Sequence, residues 1–311
     1  MLRPFLISAG LGVVSALFFL SVVTGSIGAV IFMLMASMPL FGAALGLALP
    51  GVAVAGAAGA LVVGVVGGIE TAVTYLVMVA GPPGLVAWQG LRSRPDGKGG
   101  VAWYPPGLLL VWLVGHAAAA FGLIWLMTLG IQGGLMALLR DQVGLLVSDM
   151  TAGAGVPIAL SDLSRLIDVF VMTLPGTALA TWIMLLIGNA ALAQGALTRF
   201  GWALRPGMRL QEIELPITVH AVFVGLIALS AVLGGQAQFA AINLAIILSV
   251  PFFLLGLSIV HAIADRLSSG WLFLTLFYVL LLITNAWVLA LMVGLGFIEH
   301  WFGARHRLSR P

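Results

Sequence analysis

The sequence predicts an all-α fold, a polytopic transmembrane helix bundle of about eight or nine membrane segments. Three observations predict it. The 311-residue chain is 62% hydrophobic and only 7% charged, against roughly 25% charged residues in an average globular chain. Its mean hydropathy is +1.19. Between Arg3 and Arg92 it carries a single formal charge, Glu70. Helices built from such a run have no polar face to turn to water. The whole chain therefore reads as one integral, multi-pass membrane domain, 1–311.

The charge pattern narrows the function classes. The sequence pI is near 10.0, but the thirteen Lys and Arg residues fall mostly in short loops between apolar runs. That is a positive-inside topology signal rather than a basic face for nucleic acid. There is no cysteine, which excludes disulfides, thiol catalysis and cysteine-ligated metal. The first apolar run follows one basic residue, Arg3, a weak start for a cleaved leader, so it is expected to stay in place as a span.

The N-terminal helix block covers 5–91. Residues 5–24 fit one span, with Ser8, Gly12 and Ala16 at every fourth position. Small residues at that spacing let two helices approach closely in lipid. The stripe serves either packing within the chain or docking of another membrane subunit. Residues 27–49 form a second run, which Pro39 is expected to kink or break; Met33, Met35 and Met38 precede the break and read as gap-filling core. Residues 51–68, dense in Gly and Ala, read as a tightly packed inner helix. Glu70 opens the run 71–88, either at a turn between two spans or facing inward. Gly81-Pro82-Pro83-Gly84 is expected to mark the end of that run.

The loop 92–105 carries Arg92, Arg94, Asp96 and Lys98 and is expected on the cytoplasmic side. Trp103 and Tyr104 then stand at the depth of an interfacial aromatic belt. Residues 106–129 span again and contain His116. The segment 130–168 has no positive excess and is placed outside. It reads as two amphipathic surface helices, Leu135 to Leu146 and Leu163 to Phe170, joined by a Gly-rich hinge at 151–157. They are either a lid or simple interfacial helices.

The C-terminal helix block covers 169–298. Its first span holds Pro175, Asn189 and Gln194. Arg199, Arg205 and Arg209 mark a second cytoplasmic loop, followed by the runs 216–233, 239–264 and 271–298. The basic tail 299–311, with Arg305, His306, Arg307 and Arg310, is also expected to be cytoplasmic. Three spans cannot join two segments on one side. One run, 239–264 with Pro251 or 271–298 with Thr284-Asn285, must be split, re-entrant or flat, or else the tail lies outside.

No catalytic motif is present: no His-Glu-x-x-His, no Gly-x-x-x-x-Gly-Lys and no Gly-x-Ser-x-Gly. His116, His220, His261, His300 and His306 lack metal-ligand spacing, apart from the weak tail pair His300 and His306. Ser230 and His220 lie on one run about 15 Å apart along a helix, too far to form a nucleophile–base pair. The chain is thus expected to be neither an enzyme nor the holder of a metal or cofactor. What remains is a set of polar groups inside apolar runs, where such groups are costly and often functional. Glu70, His116, Asn189 and Asn243 are the candidate ligand-binding residues. Gln194, His220, His261 and Asn285 complete the set, and any amide among them serves equally as interhelical glue.

Asn243-Leu244-Ala245-Ile246, followed by the run Phe252-Phe253-Leu254-Leu255-Gly256-Leu257-Ser258-Ile259-Val260-His261, resembles the signature span of the YybS-like family of bacterial membrane proteins. The ending from Gly294 to Arg305 is similar to that family's closing Gly-Leu-x-Asp-x-Trp-Phe-x-x-Arg. Pro39-Leu40-Phe41-Gly42 with Gly46 looks like its broken second segment. Glu299 stands where the family usually has Asp, and Leu255 where it often has Gln. The family in turn resembles the substrate-capturing S components of energy-coupling-factor vitamin transporters. That resemblance implies a small-molecule ligand and docking through Ser8, Gly12 and Ala16 to a transmembrane coupling subunit with its ATPase. It also implies closure of 130–168 over the ligand. The alternative is a non-transporting scaffold for envelope, division or sporulation machinery, with polar groups as helix glue. The two differ in geometry: one enclosed cavity gathering the polar groups, or separate pairings between helices.

Overall fold

In the computed structural model the described residues are 2–97, 99–154, 160–284 and 286–303. The fold is all-α and consistent with a membrane helix bundle. Five helical stretches are long and apolar enough to cross a membrane, and shorter apolar helices accompany them. Contacts divide the chain into two units, Met1–Leu113 with Ile183–Glu214, and Val114–Trp182 with Leu215–Pro311.

The first unit opens with α1 (Leu2–Leu20), a 3-10 turn at Ser21–Thr24 and a left-handed Gly25 at φ 65°. Ser26 caps α2 (Ile27–Leu34) by accepting the Ala29 N–H at 3.3 Å. The helix then breaks at Met35 and Ala36 and restarts as α3 (Ser37–Tyr75). Pro39 is the cause: it has no N–H for the Met35 carbonyl and its ring crowds that oxygen. Met38 donates to Met35 O instead, at 3.0 Å.

α3 is not one rod. Ala48 (φ 60°, ψ −166°) and Gly68 (φ 82°, ψ 175°) leave helical geometry, and the chain reverses at each. A Cβ at Gly51 would lie 3.3 Å from the Ala43 oxygen, and one at Gly56 3.4 Å from the Ala80 methyl. Residues eight and twenty-four apart cannot meet in a straight helix, which rises 1.5 Å per residue. Residues 27–90 therefore make three passes, and with α1 the unit has the four expected between 5 and 91. The reversals sit where proline and glycine punctuate the sequence. Pro50 falls in the first turn of its arm, where a missing N–H costs nothing.

The third pass departs from expectation. Gly81-Pro82-Pro83-Gly84 does not end it; the helix runs on through α4 (Gly81–Leu85) to Gly90, flanked by π-helical turns at Leu76–Ala80 and Val86–Gly90. Pro83 offers no N–H to the Val79 carbonyl, and the buried Ser37 hydroxyl donates to it across the bundle at 3.2 Å. The wider turn and the borrowed donor let a Pro-Pro pair stay inside the helix.

The basic loop folds into a small antiparallel hairpin, β1 (Ser93–Pro95) with β2 (Val101–Trp103), Arg94 facing Ala102. Asp96 Oδ1 closes its turn by accepting the Gly100 N–H at 2.7 Å. α5 (Pro106–Thr128) and α7 (Leu160–Arg199) each contribute their residues to both units.

In the second unit α6 (Gly134–Ala154) is the first amphipathic helix. The second is not separate: Leu163 to Phe170 is the opening of α7, which continues unbroken into the span. Residues 155–159 of the expected hinge, Lys98, Asn285 and the tail residues Arg305, His306, Arg307 and Arg310 lie outside the described residues. α9 (Gly235–Ala264) is the hub, with residues 250–260 all buried, as a helix apolar on every side must be. α8 (Ile217–Val232) and α11 (Ala286–Phe302) pack on it. The run 239–264 is therefore one helix, and the run 271–298 is two, α10 (Gly270–Thr284) and α11. α11 lies antiparallel to α9 at backbone contact. Gly256 faces the Met292 carbonyl and Gly296 the Phe252 carbonyl, and a Cβ at either would overlap that oxygen. Lipid gives helices no hydrophobic reason to associate, so such close approach is what holds them.

Candidate functional site

The stripe Ser8, Gly12 and Ala16 is already occupied. All three are buried, and the face they form packs in parallel on the 49–67 arm of α3. Gly12 abuts the Ala55 carbonyl, and a Cβ at Gly51 would lie 3.4 Å from Ser8 Oγ. Both helices present small residues at the same spacing, so their backbones nearly touch. This surface is used for packing within the first unit. Beside it the fully buried Tyr75 hydroxyl donates to Ser15 Oγ at 2.8 Å, and Ser15 donates to Ala36 O at 2.6 Å.

The four candidate ligand-binding residues each have a local setting. Glu70 is exposed, two residues past the reversal at Gly68. It sits in the first turn of the 69–75 arm, where a carboxylate suits the positive end of the helix dipole. Asn189, on α7 in the first unit, is buried and donates to Leu34 O at 2.8 Å. That carbonyl lies at the end of α2, where the helix breaks.

Asn243 does more. It is fully buried on α9 in the second unit. Its Oδ1 accepts the Gly176 N–H at 2.6 Å, and its Nδ2 donates to Met172 O at 3.0 Å and to Phe239 O at 2.8 Å. Gly176 and Met172 are the donor and acceptor of one rung of the α7 ladder. The Asn243 amide is inserted into that rung, next to Pro175, and satisfies both ends. Gly176 must be glycine for this: a Cβ there would lie 2.9 Å from both oxygens of Asn243. His116 is half-buried and stacks on Trp182 in the same unit, centroids 6.1 Å apart and planes at 27°.

Sequence spacing did not indicate the meeting of His220 and His300. Their ring centroids lie 4.8 Å apart, in a cluster with Phe252, Phe297 and Trp301 at 4.9, 5.5 and 5.4 Å from His220. His220 Nδ1 is 3.4 Å from Pro216 O, and its Nε2 is buried without a hydrogen-bond partner among the described residues. Eighty residues separate the two histidines in the chain, and periodicity along one helix carries no signal for such a pair.

Arg205 was also concealed in the sequence, where it reads as one more loop cation. It is buried, donates from Nη1 to Gly90 O at 2.5 Å and stacks over Trp103 at 5.5 Å. Its own carbonyl accepts from Gln194 Nε2 at 2.8 Å. Burial pushes the guanidinium below its usual range, and the nearby Glu212 carboxylate works in the opposite sense. Arg205 thus caps the C-terminal end of the third pass and ties the loop 200–214 to the loop 92–105. Between these two loops the chain holds α5 and α7, each of which includes a stretch long and apolar enough to cross a membrane.

A cavity of about 440 Å³ lies between α6 and the start of α7, lined by Arg140, Asp141, Gly144, Leu145, Ser164 and Ile167. It is a surface groove, open to its surroundings. An exposed ion pair, Arg140 Nη2 to Asp168 Oδ1 at 3.0 Å, runs between the same two helices. Such a pair contributes at most about 1 kcal/mol.

A family model described as "Predicted membrane protein (DUF2232)" matches residues 13–299. No curated protein and no solved structure matches the chain.

Proposed function

From the premise that the chain belongs to this family of predicted membrane proteins, DUF2232, we propose that it is a non-catalytic membrane scaffold, a helical platform on which other envelope proteins assemble. One observation carries the reading. Two of the four candidate ligand residues, Asn189 and Asn243, use their amides on backbone groups of neighbouring helices. They act as glue at the break that ends α2 and beside Pro175 inside the continuous α7. Glu70 stabilises a helix start at an exposed turn.

A second reading, solute capture in the manner of S components, has its own support. Reversals at Ala48 and Gly68, a proline-glycine pair within α7 held by Asn243 and an open groove beside α6 are features of helices that part around a substrate. In either case the basic loops of the first unit face the cytoplasm of a bacterial inner membrane, by the positive-inside rule.

Purification of the full chain in mild detergent, followed by mass spectrometry of everything retained, separates the readings. The scaffold predicts stoichiometric protein partners and no small molecule. A stoichiometric small molecule, with a coupling subunit and its ATPase, overturns it in favour of solute capture.

A further inference from the structure

We propose that the first unit carries a binding surface for the phosphate headgroups of anionic phospholipids, formed by Arg92, Arg94, Arg199 and Arg209. All four are exposed. They come from the loop 92–105 and from the end of α7 with the loop 200–214 that follows it, and the buried Arg205 joins these two regions into one layer through Gly90 and Trp103.

The same loops hold three carboxylates, Asp96, Glu212 and Glu214: Asp96 accepts the Gly100 N–H in the hairpin turn, Glu212 lies within the field of the buried Arg205, and Glu214 is exposed. The four exposed arginines outnumber them.

Its depth is set by aromatic side chains. Trp88 and Trp112 pack edge to face at 5.6 Å, and Trp112 Nε1 donates to the Tyr104 hydroxyl at 3.0 Å. Phe200 and Trp202 are exposed beside Arg199. Trp and Tyr settle at the headgroup level of a bilayer, which places these arginines among the phosphates. The Arg92 guanidinium lies over the Trp88 ring at 5.0 Å. A stacked guanidinium is held flat while its N–H edge stays free, the arrangement that suits two parallel bonds to a phosphate. Each basic side chain near an anionic membrane surface adds attraction that short-range salt screening weakens.

The test uses the full chain purified in a neutral detergent and exposed to equimolar phosphatidylglycerol and phosphatidylcholine, with the retained lipid counted by native mass spectrometry. We expect phosphatidylglycerol to be retained at least about fivefold over phosphatidylcholine, and the preference to fall as salt rises. Substituting Arg92→Gln, Arg94→Gln, Arg199→Gln and Arg209→Gln together removes it, whereas Arg140→Gln, on α6, leaves it intact. Should the fourfold variant fail to fold, the corresponding Arg→Lys set keeps the charge and retains the preference. Equal retention of the two lipids by the unsubstituted chain overturns the proposal. So does a preference unchanged by salt, or one that survives loss of the four charges in a folded variant, as it would if these loops instead held an acidic protein.

Discussion

At the scale of single residues, Asn243 shows how a polar atom can be absorbed by a membrane fold. Its three hydrogen bonds satisfy every polar hydrogen of the amide and both ends of an opened rung. Interhelical bonds in bilayers average about 0.6 kcal/mol and reach about 1.7. Asn243→Leu should therefore lower stability by about 2 kcal/mol, more than Asn189→Ala with its single bond. Denaturant titration in micelles measures both, and equal effects would show that the inserted amide is not special. The sequence exposed Asn243 as a polar group in an apolar run but left its role open between ligand contact and glue. Only the neighbouring helix, 67 residues away, decides. Arg205 was misleading in the other direction, since basic loop residues in membrane proteins are ordinarily solvated.

At the scale of elements, much was legible because glycine and proline punctuate locally. The four passes of 5–91 were readable from run lengths alone, and Pro39 announced the break at Met35 and Ala36. Pro82 and Pro83 were misleading, because their accommodation depends on Ser37, which is distant in sequence. The reversals carry a prediction of their own. Ala48, at φ 60° and ψ −166°, occupies a region that is essentially glycine's and costs about 1–3 kcal/mol for other residues. Ala48→Gly should thus raise stability by about 1 kcal/mol, and Gly68→Ala should lower it by about the same or more. Thermal melts in detergent read both signs; destabilisation by Ala48→Gly would contradict the assigned turn geometry.

For the molecule as a whole, charge separates across the first unit. The parallel contact of α1 with the 49–67 arm places Arg3 at the Ala48 end, with the two basic loops, while Glu70 stands at the Gly68 end. The absence of cysteine makes this directly measurable. Arg3→Cys, Arg94→Cys and Arg209→Cys, made singly, should react with a membrane-impermeant maleimide only in inverted vesicles, and Glu70→Cys only in right-side-out ones. Labelling of Glu70→Cys and Arg94→Cys from one face would break the four-pass arrangement. The run 271–298 is continuous in hydropathy yet forms two helices, and hydropathy does not record where a helix axis turns.

The reversals at Ala48 and Gly68 spend one residue each. Neither leaves a hydrophilic linker for the cell's insertion machinery to hand across the bilayer by itself. Successive arms are therefore joined directly as helical hairpins, so each arm's polar ends lie against its neighbour's rather than against a loop.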